Sequence, residues 1–179
     1  FNDYVIQNNY IDLPVVGIEP SCLLTFNDEY QTLKNVNNKD QIKNKFYLLE
    51  EFILEQIRNN NKIKANKFDQ NVLIHGHCHQ KSQDRMKGLT NLLSELNINN
   101  KMIESSCCGM AGSFGYDSKT YEVSKKMANL SLIPAINNSG EKDFIVANGT
   151  SCRHQISDLS EKKGKHVSEL LFKIFETVN

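Results

Sequence analysis

Two adjacent cysteines followed by glycine, Cys107-Cys108-Gly109, are the residues of this sequence best suited to chemistry. Neighbouring side chains on a turn point in different directions, so a doubled cysteine packs poorly. A metal cluster can use both thiolates, and glycine lets the backbone come close. Gly109, Gly112 and Gly115 recur in threes. Such a loop presents backbone N–H groups to anionic sulfur or to a cofactor phosphate. A second dense motif is His75-Gly76-His77-Cys78-His79-Gln80-Lys81. Cys78 is the expected ligand there. His77 and His79 flank it and can also ligate, although three histidines cannot all face one ion. One can orient a ligand instead, and His75 reads as a satisfied histidine at a strand end. Lys81 either offsets thiolate charge or is solvated. The third motif is Gly149-Thr150-Ser151-Cys152-Arg153-His154-Gln155. Cys152 is its candidate ligand, and Arg153 is a permanent positive charge for thiolates or an anionic substrate. His154 faces either the site or solvent. Cys22, in Glu19-Pro20-Ser21-Cys22, is the fifth and least secure candidate.

Thiolates are soft ligands that suit iron–sulfur clusters or zinc better than magnesium or calcium. The spacing matches neither the short paired knuckles of zinc fingers nor the close cysteine runs of ferredoxins. Three chemistries stay open: an iron–sulfur electron relay, a zinc site with a structural or partner-binding role, and a nucleophilic cysteine with a histidine base. Five clustered thiols exceed what a nucleophile needs, so the last ranks lowest.

The elements that must position these residues read as strands alternating with helices. Apolar runs at 14–18, 71–75, 101–104 and 143–147 are expected strands. Amphipathic spacing predicts helices over 41–58, 82–96, 118–136 and 166–178, with a shorter one over 23–34. The expected fold class is α/β, a mostly parallel sheet flanked by helices. Each cysteine then falls just beyond the carboxyl end of a strand, the edge where open parallel sheets bind ligands. A weak repeat relates Val15-Val16-Gly17-Ile18-Glu19-Pro20-Ser21-Cys22 to Ile145-Val146-Ala147-Asn148-Gly149-Thr150-Ser151-Cys152. It suggests that residues 1–34 are the tail of a first cysteine-rich unit and 35–179 a second.

Bulk properties exclude other classes. Lys+Arg and Asp+Glu both total 21, which removes the electrostatic case for nucleic acid or an anionic membrane. No apolar run reaches membrane-spanning length, so no transmembrane segment is expected. There is no signal-peptide pattern, and five cysteines, an odd number, fit a reducing compartment. A cytoplasmic location follows, free or peripheral at the inner face of the membrane. The start at Phe1 suggests part of a longer protein.

Cys78, then Cys107-Cys108-Gly109, then Cys152 resembles the cysteine-rich CCG domain found in heterodisulfide reductases and in glycolate oxidase iron–sulfur subunits. Gly17–Phe26, His75–Lys81, Cys107–Gly115 and Ser151–Gln155 are similar to the C-terminal region of large FAD-linked oxidases of the D-lactate or D-2-hydroxyacid dehydrogenase kind. The resemblance implies an iron–sulfur cluster of the 4Fe-4S type held by Cys78, Cys107, Cys108 and Cys152. It also implies an upstream flavin domain with FAD, a first cysteine-rich repeat as partner, and an electron acceptor of unspecified identity. The family pattern ends in Cys-x-x-Cys, whereas position 149 is Gly and the matching position 19 is Glu. A noncubane cluster therefore lacks one of its cysteines here.

Overall fold

The computed structural model describes residues 7–8, 10, 12–34, 40, 45–59 and 65–175. Its elements run β1 (Val15–Gly17), α1 (Pro20–Thr25), α2 (Glu29–Thr32), β2 (Phe46–Leu48), α3 (Leu49–Asn59), β3 (Val72–His75), α4 (Cys78–Ser82) and α5 (Met86–Glu95). There follow β4 (Asn100–Met102), a 3-10 turn (Phe114–Tyr116), α6 (Tyr121–Asn129), α7 (Leu132–Asn137), β5 (Phe144–Ala147), α8 (Thr150–Leu159) and α9 (Val167–Ile174). The expected α/β class is what the structure has.

All strand pairs are parallel. A three-stranded sheet has the order β4-β3-β5, with Val72 opposite both Asn100 and Phe144. β1 and β2 form a second sheet, with Val15 opposite Phe46. Every residue of β5 is buried, as a strand covered on both faces requires. The two-residue period divides the core. Val72, Ile74, Phe144 and Val146 face Leu89, Leu92, Leu93, Val167 and Leu170. Ile145 and Ala147 face Ile103, Leu132, Ile136, Ile156, Cys108 and Cys152. The chain leaves central β3 for β4 on one side and then crosses to β5 on the other. That reversal opens a crevice beyond the carboxyl end of β3.

Four expected helices differ. The one expected over 23–34 is two short helices, α1 and α2, with a turn at 26–28 between them. Phe46, Tyr47 and Leu48 form β2 where a continuous helix over 41–58 is expected; of that stretch, residues 41–44 lie outside the described residues. Phe46 and Tyr47 are strand-prone aromatics, and pairing with β1 buries Phe46 and Leu48. The helix expected over 118–136 is two, because Pro134 lacks an N–H and fits only the first turn of a new helix, α7. The helix expected over 82–96 starts at Met86, after Asp84 adopts a left-handed φ of 52°. Among the described residues, no helix is long and apolar enough to cross a membrane.

Leu93 is fully buried between α5 and the sheet. Leu93→Ala is expected to cost about 3 kcal/mol, read as a lower denaturant midpoint at unchanged slope.

Candidate metal centre

The site is built on the three turns that follow β3, β4 and β5. After β3, His77 caps α4: its Nδ1 accepts from His79 N (3.2 Å), and Gln80 Oε1 accepts from His77 N (3.4 Å). This reciprocal cap sets Cys78 as the first residue of α4. After β5, Asn148 Oδ1 accepts from Val167 N (3.1 Å), and Gly149 caps α8, whose first turn carries Cys152. One buried side chain joins the two turns. Glu50 Oε1 accepts from Gln80 Nε2 (2.8 Å) and from Asn148 Nδ2 (2.9 Å).

The turn after β4 carries the doubled cysteine and is held from both sides. Lys81 Nζ donates to Ser105 O (2.6 Å) and Ser106 O (2.7 Å). Gln155 Nε2 donates to Cys108 O (2.9 Å) and Ser124 Oγ (2.9 Å). Gly109 N donates to Cys107 Sγ (3.2 Å). Gly109 has φ +91°, and a Cβ there would stand 2.3 Å from Ser124 O. Glycine is therefore required twice, by conformation and by space.

These turns enclose a cavity of about 400 Å³ lined by Cys78, Cys107, Cys108 and Cys152, together with His77, His79, Ser21, Ala111, Gly112 and Ser151. Four of the five candidate cysteines thus line one crevice. Cys108 and Cys152 are buried, Cys107 is half-buried and Cys78 is exposed. Cys22 is exposed and is not among the residues lining the cavity. The His77 and His79 rings stack at 5.3 Å. Because His77 Nδ1 accepts a hydrogen bond, a neutral His77 ring carries its hydrogen on Nε2. In that tautomer it is a donor and not a ligand.

The side chain that sequence reasoning undervalued is His75. A ring nitrogen of His75 and the sulfurs of Cys108 and Cys152 all lie within 4.8 Å of one another, and all three residues are buried. The signal was its place as the last residue of β3, at the strand end from which the turn to Cys78 begins. Arg153, expected near thiolates, instead donates to Ala147 O (3.0 Å), Asn148 O (2.5 Å) and Thr150 Oγ1 (3.0 Å). It fixes the strand-end turn. His154 pairs with Tyr116 Oη (2.7 Å).

The sulfurs are electrostatically unequal. Hydrogen bonding with Cys152, together with the field of the nearby His75 ring, pulls the Cys108 thiol well below the usual range despite its burial. Cys152 is pushed up by the same bond and by burial. Burial and then Cys107 push the Cys78 thiol up to about 11. Burial lowers His77, against an opposing pull from Glu19. Glu19 crosses from the first sheet: its Oε2 accepts from Thr150 N and Oγ1 (both 2.9 Å) at the start of α8. Burial raises that carboxyl, but these bonds and one from Ser21 leave it below its ordinary value.

The donor set fits a metal group: four sulfurs line one cavity, and the buried His75 brings a ring nitrogen within 4.8 Å of two of them. Residues 72–157 match the model of the cysteine-rich CCG domain. Residues 72–157 are a CCG cysteine-rich domain. The chain is 22% identical over 161 residues to D-2-hydroxyglutarate dehydrogenase of Pseudomonas putida, covering 89% of the chain and 15% of that protein. It is 24% identical over 160 residues to one subunit of the anaerobic glycerol-3-phosphate dehydrogenase of Escherichia coli K12, covering 89% of the chain and 40% of that subunit. D-2-hydroxyglutarate dehydrogenase of Haemophilus influenzae is 23% identical over 176 residues, 93% of the chain and 17% of that protein. The chain thus spans well under half of these relatives. No solved structure matches it significantly.

Two outcomes follow. Gly109→Ala is expected to destabilise the CCG domain by about 1–3 kcal/mol, read from denaturant midpoints. Burial, with the adjacent Glu51 charge adding to it, raises the Glu50 carboxyl from 4.5 to about 7. The folded state then binds the extra proton, so wild-type stability falls as pH rises from about 4.5 through about 7. Glu50→Gln removes that slope. The stability gap between the two proteins is expected to change by about 3 kcal/mol between pH 4.5 and 8, and equal pH profiles would show ordinary ionisation of Glu50.

Proposed function

We propose that this chain is an electron-relay domain whose cysteine crevice holds an iron–sulfur cluster of the 4Fe-4S type within a FAD-linked dehydrogenase. The observation that carries the reading is the convergence of Cys78, Cys107, Cys108 and Cys152 on one cavity from three separate strand ends. The resident group would accept and pass on single electrons. The chain's own part is to gather the sulfurs, hold the loop backbone through Lys81 and Gln155, and stabilise negative sulfur. The names of the relatives, D-2-hydroxyglutarate dehydrogenase and the anaerobic glycerol-3-phosphate dehydrogenase, support an oxidoreductase; our reading of the parent enzyme is a dehydrogenase of D-lactate or a related D-2-hydroxy acid. In this reading residues 1–34 end a first cysteine-rich repeat, 35–179 form the second, and the flavin domain lies on other parts of the protein. Cys22 then belongs to the first repeat's own site. The location is cytoplasmic, free or at the inner face of the membrane.

A second reading has one favouring observation, the compact His75, Cys108 and Cys152 trio. Mixed nitrogen and sulfur ligands suit zinc, which here would be structural or partner-binding. Stoichiometric zinc without acid-labile sulfide is its signature. Under the relay reading, Cys108→Ser reconstituted anaerobically with ferrous iron and sulfide is expected to fall to background in bound iron and visible absorption. Unchanged values would remove Cys108 from the site.

A further inference from the structure

We propose that His75 supplies a nitrogen ligand, through Nε2, to the group held in the cysteine crevice; this rests on the metal-site reading above. His75 is 1% exposed. Its Nδ1 shares a 2.8 Å hydrogen bond with Ser105 Oγ. A neutral imidazole has one protonated nitrogen and one lone pair. With the hydrogen on Nδ1, held by the Ser105 hydroxyl, Nε2 keeps its lone pair, and a ring nitrogen lies within 4.8 Å of the Cys108 and Cys152 sulfurs. A partner on the far nitrogen is how metal-bound histidines are ordinarily fixed.

Nε2 has no hydrogen-bond partner, although the atom is fully buried. Native interiors leave few such groups, because each costs about 1–3 kcal/mol. Ligation removes the penalty. Ligand atoms around one ion at bond lengths of about 2.0–2.3 Å stand about 1 Å closer to each other than the 4.8 Å limit of this trio. Small side-chain rotations close the difference.

Position 149 explains why a nitrogen is wanted. The family pattern places a cysteine there, and this chain has glycine. A Cβ at Gly149 would lie 2.3 Å from His77 Cδ2 and 3.1 Å from His77 Nε2. With His77 seated as the cap of α4, no side chain fits at 149. The crevice therefore lacks that sulfur, and His75 at the end of β3 brings a donor to the same two cysteines. Replacing one thiolate by imidazole raises the reduction potential of a cluster.

The test loads the full chain anaerobically with ferrous iron and sulfide, and separately with cobalt(II). Bound metal is counted, and nitrogen couplings are read by pulsed electron paramagnetic resonance on the paramagnetic forms. Wild type is expected to show one strong histidine nitrogen coupling. His75→Cys is expected to keep its metal, lose that coupling and shift the midpoint potential downward. Should His75→Cys fail to load, Ser105→Ala decides: it keeps metal and changes the coupling if the nitrogen belongs to His75. A loaded wild type without nitrogen coupling overturns the proposal, as does a coupling unchanged in both variants; the metal site itself then stands. Loss of metal in Cys108→Ser supports the site, whereas full metal in that variant, or a wild type that takes up neither metal, overturns site and ligand together.

Discussion

Glu50 accepts two amide hydrogen bonds on one oxygen, from Gln80 and from Asn148, and both donors sit in the turns that carry the cysteines. Gln80 caps α4 beside Cys78. Asn148 leads into Gly149 and, through Val167, anchors the start of α9. A carboxylate oxygen has lone pairs for both amides, and an apolar residue would leave two buried N–H groups unsatisfied. Glu50 itself opens α3, which follows directly on β2. The first sheet, the turn after β3 and the turn after β5 thus meet at one side chain. The desolvated carboxyl is the cost of that junction, and Arg85, bound to adjacent Glu51, supplies nearby positive charge.

Around this junction the site is assembled from backbone held by side chains. Lys81 binds two carbonyls of the turn after β4, Arg153 two carbonyls at the end of β5, and Gln155 the carbonyl of Cys108. Long polar residues near a thiolate centre invite an electrostatic reading, yet three of them here serve as struts. The charge at the centre is set more locally, by the Cys108–Cys152 hydrogen bond and the His75 ring beside it.

Much of this was legible in the sequence. The alternation of apolar runs with amphipathic stretches indicated a parallel sheet, and the placement of Cys78, Cys107, Cys108 and Cys152 after strands indicated one shared edge. Less local features were hidden. Phe46 lies at helical spacing from Leu49 and Ile53, so β2 is invisible until β1 pairs with it. His75 looked like a strand-end residue because its significance depends on Ser105, thirty positions away. The role of Glu50 depends on partners thirty and ninety-eight positions away. Such contacts have no periodicity to betray them. Glu19, which departs from the family's cysteine, gains its meaning only from Thr150 across the two sheets.

Access and ionisation are divided among the sulfurs. The Cys108 thiol is pulled toward ionisation but is buried; the Cys78 thiol is exposed but pushed toward its protonated form. Attack by peroxide or a maleimide reagent requires a thiolate that the reagent can reach, and neither of these two residues offers both. Cys22 is exposed and is not among the residues lining the cavity, so such a reagent reaches it from solvent. Early modification of the native protein therefore reports on its surface, while Cys108 and Cys152 are shielded by the same folding that gathers the crevice.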